Sequence, residues 1–111
     1  MKNILLMSAI LGLSACVQPV ASPAERASRD AAALRLTNSQ CVIYMGGISE
    51  MREVASAASD KEALARSLGA DDALIAKGAQ DAQSTFSAME VLAGKKTACE
   101  NFVNMTVNLV M

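Results

Sequence analysis

Small and apolar residues recur at alternating steps of four and three through the first half of the chain, at Ala27, Ala31, Leu34, Cys41 and Met45, with Asn38 filling the remaining step. That rhythm lines one face of an α-helix and no face of a strand. It returns at Ile75, Ala79, Ala82, Phe86, Met89 and Ala93, and glycines at 46, 47, 69 and 94 interrupt it. Within 111 residues the pattern leaves room for one small all-α domain. Its 21 alanines favour helix but bury little area, so the larger side chains must build a thin core.

Capping residues set the expected boundaries. Ser22-Pro23-Ala24-Glu25 has the spacing of a capping box with proline at the first helical position, so a helix begins near residue 23 and ends or kinks at Gly46-Gly47. Glu25 with Arg29 and Arg26 with Asp30 are expected to pair across one turn of it. Ile48, Met51, Ala55 and Ala58 suggest a short second helix, and Ser59-Asp60-Lys61-Glu62 a capping box opening a third that stops at Gly69. Asp71 caps the longest helix, in which Gly78 is a weak point, and small residues along its seam permit close approach of a neighbour. Thr97-Ala98-Cys99-Glu100 has capping spacing again.

The last segment reads two ways. Val103, Met105, Val107, Leu109 and Met111 alternate as a strand would, whereas Phe102, Met105, Thr106 and Leu109 share a helix face. Helix is expected, because a lone strand would lack a partner. The expected fold is a small all-α bundle of four to five helices, with a strand as the alternative for the final segment. Residues 101–111 carry no charged side chain. Buried, they are core; exposed, Phe102, Val103, Met105, Val107, Leu109 and Val110 form the surface best suited to docking.

The N-terminus is an address. Lys2 precedes an apolar run from Ile4 to Leu13, and two small residues follow. About ten residues at 1.5 Å each span roughly 15 Å, half of a ~30 Å hydrocarbon core, too short for a permanent membrane helix. Leu13-Ser14-Ala15-Cys16 resembles the lipobox of bacterial lipoproteins, an aliphatic residue and two small ones before an invariant cysteine. The resemblance covers the signal only. It implies a diacylglyceryl thioether on Cys16, cleavage after Ala15, and acylation of the new amino terminus. It also implies an envelope location facing the periplasm, with Val17 rather than Asp after the cysteine pointing to the outer membrane. The chain then divides into a leader, residues 1–15, a lipidated tether, 16–22, and a helical domain, 23–111. Six tether residues reach about 20 Å when extended, which holds the domain close to the bilayer.

With Cys16 lipidated, Cys41 and Cys99 are the two thiols left in an oxidising compartment, and a disulfide between them is expected. A loop of about 59 residues so closed would stabilise the fold by roughly 4 kcal/mol through lost chain entropy. A redox-active pair is a poor alternative, since there is no C-x-x-C and no histidine to lower a thiol pKa.

The absence of histidine also excludes Ser-His and Cys-His relays and imidazole metal ligands. Ten basic against eleven acidic residues leave no electrostatic footprint for nucleic acid. Asp71-Asp72 serves a helix start, Glu50 and Glu53 a solvated face, and Met45, Met51, Met89 and Met105 the core. No catalytic residue, metal site or cofactor is therefore expected. The reading that follows is a membrane-anchored structural or interaction accessory of an envelope assembly, with an envelope protein as partner. The alternative is a periplasmic chaperone-like or small-ligand-binding helical protein. The two-cysteine layout is similar to that of acid-stress periplasmic chaperones, although no motif residue carries that likeness.

Overall fold

Ser22 opens the first helix as its spacing predicts: its Oγ accepts the Glu25 backbone N–H at 3.1 Å, and Pro23 supplies a first turn that needs no donor. The computed structural model describes residues 21–110, so the expected leader, Cys16 and the expected tether up to residue 20 lie outside the described residues. Among the described residues four α-helices follow in order, α1 Pro23–Gln40, α2 Ile48–Ser67, α3 Asp72–Ala93 and α4 Lys95–Val110, with a 3-10 turn at Val42–Tyr44. No strand occurs among the described residues.

Three boundaries differ from expectation. The first helix stops at Gln40 rather than at the glycine pair, and Met45 closes the 3-10 turn by donating its N–H to the Val42 carbonyl at 3.2 Å. Cys41 is drawn into a disulfide there, and the β-branched Val42 and Ile43 that follow are poor helix formers. The second and third expected helices are one. Nothing between Ile48 and Ser67 removes a donor or adds a glycine, so the hydrogen-bond ladder runs through Ser59-Asp60 and the capping spacing goes unused. Finally, α4 begins at Lys95 and not beside Thr97, because Gly94 with φ of 90° turns the chain in one residue.

The end of α2 shows why glycine 69 stops it. Gly69, with φ of 105°, donates to the Arg66 carbonyl at 3.0 Å, and Ala70 donates to the Ala65 carbonyl at 2.9 Å. This 6→1 and 5→2 pair is a Schellman stop, and buried Ala65 and Ala70 supply its apolar contact. Asp71 then caps α3, its Oδ1 accepting the Leu74 N–H at 2.9 Å.

The central element is α1, which packs against every other helix, while α2 and α3 flank it with little direct contact of their own. Ala24 and Ala27 meet Ala65, Ala70, Leu74 and Ile75 at the end where α1 starts. Further along, Leu34 packs on Val54, Ala58 and Leu109. At the far end Ala33, Cys41, Phe86, Ala98, Cys99 and Phe102 form the largest cluster, and Phe86 meets Phe102 edge to face at 5.2 Å between centroids. The Cys41–Cys99 disulfide lies within it, its Cα atoms 5.3 Å apart. Polar groups inside the core are mostly satisfied locally: the Ser28, Thr37 and Thr106 hydroxyls each donate to the carbonyl four residues back. Asn38 donates from Nδ2 to the Met51 carbonyl at 2.9 Å and ties α1 to α2.

Gly78 is buried where α3 crosses α1. A Cβ there would stand 2.8 Å from the Ser28 carbonyl carbon and 2.9 Å from its oxygen, closer than packed atoms tolerate. The backbone of α1 cannot rotate aside as a side chain could. Gly78→Ala therefore gains up to about 1 kcal/mol of helix propensity but loses more to overpacking, for a net destabilisation of about 1–2 kcal/mol. Urea unfolding should show a lower midpoint at constant slope; a midpoint at or above the parent's would refute the contact. Replacing both Cys41 and Cys99 by alanine should cost about 4 kcal/mol, since the bond spans 58 residues of chain. Denaturation with and without reductant checks this, and coincident curves would count against it.

Candidate interaction surface

The six residues expected at a docking surface separate once α4 is a helix. Cys99, Phe102, Thr106 and Leu109 recur at steps of three and four, so that stripe turns inward. Phe102 is only 3% exposed and belongs to the core. Val103, Met105 and Leu109 are half-buried, packed on the clusters described above. Val107 and Val110 remain, 46% and 37% exposed.

These two valines line a groove of about 360 Å³ between the end of α4 and the start of α2. Buried Val54 and Thr106 form its floor, and Ser49, Glu50 and Glu53 its other wall. Glu50 accepts the Gly46 backbone N–H, which fixes the approach to α2. The Glu53 side chain has no hydrogen bond or ion pair among the described residues, and the groove's charged lining is wholly negative. The pairing of Glu50 and Glu53 on one face was legible in the sequence; their meeting with α4 was not, because it depends on how α4 crosses α1.

A larger groove, about 570 Å³, was not foreseen. It runs between α1 and α3 under α4, with Ala33, Ala82, Phe102 and Met105 at its base and Arg26, Arg29, Asp30, Lys77 and Asp81 on its walls. The expected pairs Glu25–Arg29 and Arg26–Asp30 do not form within 4 Å among the described residues. Glu25 reaches across to Lys77 at 3.9 Å instead, because the close approach at Gly78 brings α3 within its range. On the opposite side Arg35 pairs with Glu62, and Arg66 bridges Glu62 at 3.7 Å and Asp72 at 2.9 Å. These exposed links hold register more than they add stability.

Burial in the larger groove raises the Asp30 carboxyl above its ordinary 3.8, against the attraction of Lys61, Arg29 and Arg26. A raised carboxyl binds its proton better in the folded chain than in the unfolded one. Stability is then fully present below pH 3.8 and declines as pH rises through the folded value. Asp30→Asn should raise the urea midpoint at neutral pH and leave it unchanged near about pH 3, where both chains are uncharged at this position. Equal midpoints at neutral pH, or a less stable variant, would refute the assignment.

Among the described residues no helix is long and apolar enough to cross a membrane. In comparison with known proteins the chain matches no family model, no curated protein and no solved structure at a significant level.

Proposed function

We propose that this chain is a small envelope lipoprotein, held to a bilayer through lipid on Cys16 and facing the periplasm, that serves as an interaction accessory of a membrane assembly. The outer membrane is the favoured site. The observation that carries the reading is the lipobox-like Leu13-Ser14-Ala15-Cys16, placed between an apolar export segment and a helix separated from the cysteine by only six residues. Each buried methylene contributes about 0.8 kcal/mol, so two or three acyl chains would anchor the domain durably where one would not. Such a short tether keeps a partner close to the same membrane. The domain offers no charge excess for nucleic acid, and its disulfide suits an oxidising compartment.

Growth with labelled palmitate tests the anchor. The parent should incorporate label and sediment with membranes, and its mature amino terminus should be an acylated Cys16 by intact mass. Cys16→Ser should remain unlabelled and uncut after Ala15. Labelling or processing that survives the substitution would overturn the reading. Whole-cell crosslinking followed by recovery in detergent should also return a specific membrane-bound partner, and recovery of this chain without one would argue against the accessory role.

A further inference from the structure

The most exposed large apolar side chains of the described residues are neighbours, Val91 at 84% and Leu92 at 86%. They end α3, and Gly94 turns the chain so that Lys95 and Lys96 follow at once. The α3–α4 corner therefore presents an apolar pair beside two cations. The groove at the other end of α4 presents the complement: apolar Val107 and Val110 beside Glu50 and Glu53. Both halves of a matched contact sit on one chain, at opposite ends of one helix about 24 Å long.

We propose that two copies of this chain associate in antiparallel fashion along α4, each inserting its Val91–Leu92 corner into the other's α2–α4 groove. Lys95 and Lys96 of one copy then face Glu50 and Glu53 of the other. A twofold axis across the middle of α4 makes both contacts at once, the self-complementary arrangement expected of a symmetric dimer. The helix surface between the two ends supports this. Lys96 and Val107 are eleven residues apart, close to three full turns, so they lie on one stripe with Asn104 between them. From Asn101 to Val110 the helix carries no charge, so the stretch between the axis and the groove adds none to the interface. Glu100, the one acid of that stripe, is already met by Lys96 of its own chain at 4.0 Å. The inference goes beyond the proposed function and holds whether or not Cys16 carries lipid.

Charge swapping decides it. The full chain, purified in density-matched detergent, should show a concentration-dependent monomer–dimer equilibrium by sedimentation. A variant carrying Glu50→Lys and Glu53→Lys should dimerise at least about tenfold more weakly, and so should one carrying Lys95→Glu and Lys96→Glu. Mixing the two should restore association, because every contact in the mixed pair is again between opposite charges. Leu92→Asn, at an exposed site that does not threaten the fold, should weaken the dimer similarly. Zero-length carbodiimide coupling of a mixture of nitrogen-14 and nitrogen-15 chains should join Lys95 or Lys96 to Glu50 or Glu53 across isotopes. A monomer at all concentrations, couplings confined to one isotope, or reversals without rescue on mixing would each overturn the proposal; helical circular dichroism confirms that each variant is folded. Palmitate labelling reads the anchor separately, so either idea can fail alone.

Discussion

Everything in this fold depends on how closely α1 can be approached. Its buried face is made of Ala24, Ala27, Ser28, Ala31, Ala33 and Thr37, with Leu34 the single large apolar side chain that is fully enclosed. A surface so smooth gives up apolar area, which is where most folding free energy originates. What it gains is proximity: α2 lays Ala58 and Ala65 against it, and α3 brings Gly78 almost onto its backbone. Backbones that near each other lose few dispersion contacts to voids, and this partly offsets the thin hydrophobic layer.

Close approach on two sides leaves α1 uncovered on a third, and α4 fills that side in its C-terminal half. The larger side chains are spent there, with Phe86 and Phe102 meeting edge to face beside the disulfide. Thr37 and Thr106, whose oxygens lie 3.3 Å apart, mark the crossing of α4 over α1. Each hydroxyl returns its proton to its own helix, so neither helix needs the other to satisfy it. The bond from Cys41 to Cys99 ties the start of α4 covalently to the end of α1. Toward its N-terminus α1 forms the wall of the larger groove, which ends under Phe102 and Met105 of α4, and Asp30 is left partly desolvated without a close partner among the described residues.

Which parts of this were legible follows from the range of the interactions involved. Ser22, Gly69, Asp71 and Gly94 act within a turn of themselves, and each marks a helix end as its chemistry demands. Ser59-Asp60 has the same local chemistry but sits where nothing breaks the ladder, and a cap is used only when a helix ends. The pairing of Cys41 with a cysteine 58 residues away is legible, but not that it ends α1 at Gln40. Gly78 read as a weakness on propensity alone, and the reason for it lies on another helix. At the candidate surface, Val107 and Val110 fall outside the inward stripe of α4 and could be picked out once the segment was a helix. The acidic wall they face belongs to α2 and becomes visible only in three dimensions.

The two grooves differ in where they lie relative to the N-terminus, and this separates their roles. Ala21 lines the larger groove, which therefore opens beside the point where the tether joins. The α3–α4 corner lies with the cluster around Cys41, at the other end of α1, an 18-residue helix about 27 Å long, and the smaller groove opens where Val54 packs on Leu34, past the middle of that helix. On the proposed anchoring, a lipid at Cys16 would place the balanced charges of Arg26, Arg29, Asp30 and Lys77 near the headgroups. The self-complementary ends of α4 would then be carried outward from the bilayer. Confinement to that surface raises the effective concentration of one copy for another without any new contact. On the proposed anchoring, a monomer–dimer equilibrium seen in solution would thus shift toward the dimer at the membrane surface.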